Sequence, residues 1–235
     1  MNATPEPVTP PKQNMNHFQT LLNLSGGIDS VFCLWLYAQH QWPLIVHHCH
    51  LINWTNRAAH ELEAVKNVLE WIGEHMPLQM HLIQTQFDYG NMGIVQDKEV
   101  IGFLNGCLLR DRRYLIQNII VCSSRDDINR FGYYITSEAD RLRLIYGVGQ
   151  RRVKFLYPIA NFTKEDIMRR MPRELLDLCW FCRTPNDAGE PCTKCETCKK
   201  VLPVLERLDN EPGYAIDVDL ASFSSPKHRR HNGIY

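Results

Sequence analysis

The chain has 235 residues, 44% of them hydrophobic and 22% charged, and its 26 Lys and Arg balance 26 Asp and Glu. That composition is ordinary for a soluble globular protein, and the length holds one sizeable domain with an appendage or two small ones. The balanced charge does not favour direct nucleic-acid binding or an anionic membrane surface, no apolar run reaches the length of a membrane span, and the N-terminus lacks a signal peptide's charged start and apolar core, so the sequence predicts a cytoplasmic protein.

Residues 1–15 carry four prolines and no hydrophobic period, and read as a disordered leader. The apolar run Leu21-Leu22-Asn23-Leu24 then meets Ser25-Gly26-Gly27-Ile28-Asp29-Ser30, and residues 31–38 are apolar enough for a buried helix, giving strand, tight turn, helix. A second strand is predicted over 43–50, a helix over 57–73 with Leu62, Val65, Val68, Leu69 and Ile72 on one face, and a third strand over 78–83. A loop over 84–98, a helix over 99–115 and a buried strand over 119–122 follow, then the polar cluster 123–127. A helix over 137–146, a fifth strand over 153–159 and a helix capped by Thr163 complete the main domain. The order predicts an α/β fold, an open parallel five-stranded sheet with helices on both faces, whose ligand lies beyond the strand ends. The domains expected are the leader, an ATP-binding domain over 16–170, a Cys-rich helical segment over 171–210 and a locally basic tail over 211–235.

Two adjacent glycines let the backbone curve closely around a ligand, and Ser25 and Ser30 add hydroxyls at a helix start whose free N–H groups favour an anion. Asp29 fits such a cradle either as a Mg²⁺ ligand or as a helix cap. Arg57, Lys98, Arg125 and Lys164 are candidate contacts for phosphate or carboxylate groups. His47 and His48 alternate across the second strand, with His50 on the His48 side, so the three do not form a shared metal site and are expected to line the nucleotide cleft or end the strand. Trp54 is expected in the core or at its rim.

Nine cysteines in an intracellular chain do not suggest a disulfide framework. Cys33, Cys49, Cys107 and Cys122 lie in apolar surroundings and read as core thiols. Cys192-Thr193-Lys194-Cys195-Glu196-Thr197-Cys198 has the C-x2-C-x2-C form that turns successive thiolates onto one ion, with Cys182 or Cys179 as the fourth ligand. Zinc, an iron–sulfur cluster and a redox pair compete for this segment, and the spacing favours a structural zinc held by four cysteines.

SGGIDS resembles the SGGxDS signature of the PP-loop ATP pyrophosphatases, in the adenine nucleotide alpha hydrolase-like fold. Together with Cys182 and the later triplet it resembles the 7-cyano-7-deazaguanine synthase family, a resemblance that places Cys182 ahead of Cys179. Tyr157-Pro158-Ile159 with Thr163-Lys164-Glu165-Asp166-Ile167, and Asn56-Arg57 with Glu61-Leu62-Glu63-Ala64, look like further segments of that family. The family's Phe-Asp-Tyr-Gly-Gln-Arg, V-P-x-R-N and Tyr-Pro-Asp-Cys-Arg segments are altered or missing here, with residues 123–127 or Asp140-Arg141 as stand-ins for the last. The resemblance implies an ATP-dependent ligase that uses Mg²⁺, adenylates the carboxylate of 7-carboxy-7-deazaguanine and converts it with ammonia to the amide and then the nitrile, for queuosine-type modification of tRNA or DNA. It implies ATP contacts at Leu24, Ser25, Gly26, Gly27, Ile28, Asp29, Ser30 and Arg57, a catalytic set of Ser25, Asp29, Ser30 and Lys164, zinc at Cys182, Cys192, Cys195 and Cys198, and a homodimer. The rival enzyme is a PP-loop tRNA thiolase or lysidine-type ligase, and the non-enzymatic rival is a decayed, nucleotide-binding zinc protein.

Overall fold

The computed structural model describes residues 18–90, 92, 97–130 and 153–211. The expected leader, the helix over 137–146, Asp140-Arg141 and all of the tail but Glu211 lie outside them.

Five parallel strands, β1 (Thr20–Asn23), β2 (Leu44–Ile52), β3 (Met80–Asp88), β4 (Asn118–Ile120) and β5 (Lys154–Leu156), form one sheet in the order β3-β2-β1-β4-β5. The order reverses direction at β1, so the crevice between the carboxyl ends of β1 and β4 is the place where such a sheet binds its ligand. Side chains alternate across the strands. Leu22, Leu44, Val46 and Ile120 face one layer, built on α1 (Ile28–Gln39) and α2 (Ala58–His75). Leu21, Ile45 and Ile119 face the other, with Leu109 of α3 (Asp97–Arg110). Helices therefore cover both faces, as the sequence predicts.

The remaining helices are α4 (Arg125–Arg130), α5 (Lys164–Arg170), α6 (Arg173–Asp177) and α7 (Glu196–Asn210). Thr163 starts α5 with a capping box: its hydroxyl accepts the Asp166 N–H at 3.0 Å, and the Asp166 carboxylate accepts the Thr163 N–H at 2.9 Å. Leu175, Leu176, Val201, Val204 and Leu208, from α6 and α7, join the same core as Leu22 and Phe32, so the Cys-rich segment shares the hydrophobic core of the main sheet. No helix among the described residues is long and apolar enough to cross a membrane.

Several boundaries differ from expectation. β3 continues through residues 84–88, expected as loop, because β2 runs on to Ile52 and pairs with it throughout. Exposed Gln84 and Gln86 mask the alternation, while Thr85 and Phe87, which alternate with them, are half-buried. α3 stops at Arg110, not 115, where the Asp111 carboxylate accepts the Arg113 N–H at 2.9 Å and offers the backbone a turn instead. The 123–127 cluster holds the start of a helix: the Asp127 N–H donates to the Ser124 carbonyl at 3.1 Å, and the Ser124 hydroxyl donates to the Asp127 carboxylate at 2.9 Å.

Other expectations are corrected by burial. Trp54 is 70% exposed, because the Asn53 side chain builds a tight turn, accepting the Thr55 N–H at 2.9 Å while its amide donates to the Tyr89 hydroxyl at 2.8 Å. Cys33 and Cys49 are buried thiols, but Cys107 is exposed on α3, and half-buried Cys122, two residues past β4, lines the ligand crevice. The three histidines sit within β2 and none is among the residues that line that crevice. His47 bonds Asn105 at 2.7 Å and Thr85 at 2.8 Å, and His48 bonds the Leu24 carbonyl at 2.9 Å.

Candidate active site

The 25–30 turn leaves β1 and enters α1. Gly26 has φ +76°, and a Cβ there would stand 3.0 Å from both the Ala64 Cβ and the Glu61 carbonyl oxygen, so the turn is pressed against α2 at a point only glycine fills. The two serines brace it from within. The Ser30 hydroxyl donates to the Gly27 carbonyl at 2.9 Å and accepts the Ser25 N–H at 3.2 Å, while the two hydroxyls lie 3.1 Å apart. Gly27 is the N-cap of α1 and supplies no side chain, so its first turn keeps its positive end toward the crevice.

Asp29 lies inside α1, which overturns the helix-cap option. One of its carboxylate oxygens accepts from the Lys164 ammonium, and the other is buried without a hydrogen-bond partner. Burial raises its carboxyl above the usual range, opposed by the nearby Lys164 charge. Lys164 reaches across from the start of α5, and its backbone N–H is anchored on the Asp126 carboxylate at 2.7 Å.

Around these groups opens a cleft of about 640 Å³. Ser25, Gly27, Ile28, Asp29, Ser30 and Lys164 line it, so most of the residues singled out in the sequence come together. Leu24 and Gly26 stand behind the lining and shape it: the Leu24 N–H donates to the His47 carbonyl at 2.9 Å, joining the turn to β2. Lys98 lines the cleft; Arg57 and Arg125 do not. Buried Arg57 is engaged by two carboxylates, Glu61 at 2.7 Å and Asp97. Asp97 also accepts from the Tyr89 hydroxyl, and burial together with that carboxylate pushes the Tyr89 phenol up to about 12.

The sequence reading did not single out several lining groups. Glu61, Asp97 and Arg183 line the cleft, with Arg183 3.3 Å from Asp97. Lys200 lines it as well, 3.8 Å from Asp127 of the 123–127 cluster that the sequence offered as a substrate segment. Trp180 and Phe181 form a wall beside the cysteines, where a pair of aromatic residues just before Cys182 was the only signal.

Geometry groups four of the five clustered cysteines and separates the fifth. The sulfurs of Cys182, Cys192, Cys195 and Cys198 all lie within 4.8 Å of one another. Cys179 is buried in the main core, where its thiol donates to the Leu175 carbonyl at 3.4 Å. Backbone N–H groups of Cys192, Cys195 and Cys198 donate to the preceding sulfurs at 3.2, 3.2 and 3.4 Å, which stabilises thiolates. Sulfurs bound tetrahedrally at about 2.3 Å from one zinc stand about 3.8 Å apart. Those of Cys192 and Cys198 are 3.9 Å apart, so the set fits one tetrahedral ion.

No protein-family model matches the sequence. No curated protein matches it either. Among solved structures the chain is similar to the U34-tRNA thiolase NcsA from Methanococcus maripaludis with its 4Fe–4S cluster, at 15% identity and a TM-score of 0.47, over 85% of this chain and 69% of that one. It is also similar to NMN synthetase from Francisella tularensis, at 14% identity and a TM-score of 0.43, over 89% of this chain and 83% of that one. Both likenesses are distant, and the functional reading rests on the cleft.

Proposed function

We propose that the cleft binds ATP and that the protein is an ATP-dependent carbon–nitrogen ligase of the PP-loop kind, acting on 7-carboxy-7-deazaguanine and ammonia. One observation carries the nucleotide half. The uncapped start of α1 opens at the β1–β4 crevice, beside Lys164 and an Asp29 oxygen that is buried without a partner. A triphosphate over the 25–30 turn meets the helix N–H groups and the Lys164 ammonium. The unpartnered Asp29 oxygen suits a Mg²⁺ ion, which would neutralise the phosphate oxygens.

The acceptor half rests on the family resemblance and on other groups that line the cleft. Phe181, Glu61 and Arg183 among them offer an aromatic ring, a carboxylate and a cation, which suit a planar, amino-substituted heterocyclic acid. A carboxylate oxygen of that acid attacks the α-phosphorus and pyrophosphate leaves, giving the acyl adenylate. Ammonia adds to the acyl carbon, loses a proton and expels AMP to give the amide. A second adenylation, on the amide oxygen, lets loss of AMP and protons form the nitrile. No protein nucleophile is required, so the chain's part is to hold the reactants in line and to meet phosphate charge with Lys164 and the helix start.

The four-cysteine site suits Zn²⁺ in a structural role, because four protein sulfurs leave no coordination position for water. A four-iron cubane with one thiolate on each iron would spread the sulfurs farther than this geometry allows. One feature favours the thiolase alternative: half-buried Cys122 presents a thiol on the cleft wall.

The reading is tested by exchange of labelled pyrophosphate into ATP, with Mg²⁺ and without ammonia. Exchange that requires 7-carboxy-7-deazaguanine and survives Cys122→Ser is expected. Exchange that ignores the acid, or that is lost in Cys122→Ser while the fold persists, contradicts it.

A further inference from the structure

The 25–30 turn is held from one side by the cysteine segment. The backbone N–H of Trp180 donates to the Gly26 carbonyl at 2.9 Å, and the Trp180 carbonyl oxygen stands 3.6 Å from where a Cβ on Gly27 would lie. Its indole N–H donates to the Cys182 carbonyl at 2.8 Å, and Cys182 carries the first of the four clustered sulfurs. Its ring lies flat on His60 of α2, with centroids 4.2 Å apart and planes at 11°. The backbone at Gly189, between Cys182 and Cys192, closes on the same imidazole: a Cβ there would stand 3.1 Å from His60 Cε1. A single residue therefore ties the sulfur cluster, α2 and the turn together.

We propose that Trp180 is a positioning residue through which a metal ion at the four cysteines and a nucleotide at the 25–30 turn strengthen each other's binding. This rests on the reading that the cleft takes a nucleotide. A metal ion fixes the backbone at Cys182 and hence the indole that bonds to its carbonyl. Trp180 in turn fixes the peptide at Gly26, whose positive φ sets the direction of the next N–H groups. Whatever the metal does for nucleotide affinity, the nucleotide does equally for metal affinity, because the coupling is reciprocal.

The test uses the full-length zinc-loaded protein and α,β-methylene-ATP with Mg²⁺. Analogue affinity is read by calorimetry and zinc affinity by equilibrium competition with a colorimetric chelator, with and without saturating analogue. In the wild type the analogue is expected to tighten zinc binding several-fold. Trp180→Phe keeps the ring on His60 and the backbone N–H but lacks the indole donor. It is expected to hold a full equivalent of zinc, to bind the analogue about three- to tenfold more weakly, as the loss of one hydrogen bond implies, and to show little of that tightening. A zinc affinity of the wild type that is the same with and without bound analogue overturns the proposal, whether or not the variant folds. Tightening undiminished in Trp180→Phe overturns the role of the residue. An analogue that does not bind the wild type at all removes the nucleotide reading itself, and the coupling with it.

Discussion

Replacing Lys164 by Met leaves the Asp29 carboxylate in the cleft floor without its cation. Lys164 retains 10% and Asp29 21% of their side-chain exposure, and the second Asp29 oxygen has no partner to fall back on. Breaking a buried ion pair by removing one partner costs about 3–5 kcal/mol. The remaining exposure of Asp29 to cleft water places this case near the lower end, at about 3 kcal/mol. Burial already raises the Asp29 carboxyl, and loss of Lys164 raises it further, so the folded variant binds a proton that the unfolded chain releases. The deficit should therefore be largest near pH 8 and shrink toward acid, where protonation relieves the buried charge. Adding Asp29→Asn removes the charge altogether and should restore most of the stability, while the proposed function expects no recovery of turnover, since it assigns that carboxylate to Mg²⁺. Urea unfolding of the three zinc-loaded proteins, wild type, single and double variant, followed by circular dichroism at pH 8 and pH 6, reads all of this. A loss below about 1 kcal/mol for Lys164→Met, or a double variant no more stable than the single one, would refute the claim that the pair is a buried charge-compensated unit.

Gly26→Ala should cost at least about 2 kcal/mol in the same unfolding assay and weaken analogue binding, since left-handed backbone alone costs about 1–2 kcal/mol and the new methyl meets α2. Gly73→Ala, in the open interior of α2 with nothing within 4 Å of the added Cβ, should instead stabilise by about 0.5–1 kcal/mol. Burial lowers His47 and His48 below their ordinary 6.5, so the unfolded chain binds more protons than the folded one below that pH, and stability should fall as pH drops, by at most about 1.4 kcal/mol per pH unit for each group. His47→Gln should make that slope shallower below pH 6.5, by at most one proton. Comparison with the wild type cancels the acid lability of the metal–thiolate bonds, and an unchanged slope would show that His47 is not held neutral. Mass-spectrometric metal analysis should find one zinc per chain in Cys179→Ser, whose site is a core position, and none in Cys182→Ser.

What the sequence made legible follows from how local each signal is. The turn and its helix could be read because SGGIDS lies between a short apolar run and a buried helix, and the Thr163 cap because all of its partners lie within three residues. The sheet class followed from the alternation of strand and helix. The end of β3 was hidden, because its outward Gln84 and Gln86 look like loop and only pairing with β2 makes them strand. Asp29 and Lys164 were each visible as candidates, yet their meeting spans 135 positions and no spacing rule reports it. Arg57 shows the reverse case. Its charge suggested a phosphate contact, whereas Asp97, brought from α3, and Glu61, one turn along α2, occupy its guanidinium. Cys179 and Cys182 share a two-residue spacing, and only the packing of α6 into the core sends one sulfur inward and leaves the other with the cluster.

The most direct measurement is chromatographic analysis of zinc-loaded protein incubated with ATP, Mg²⁺ and ammonium, with and without 7-carboxy-7-deazaguanine. The account predicts AMP and pyrophosphate only with the acid, together with the deazaguanine amide or nitrile. Folded, zinc-loaded protein that forms no AMP in its presence, or that forms ADP instead, would contradict it.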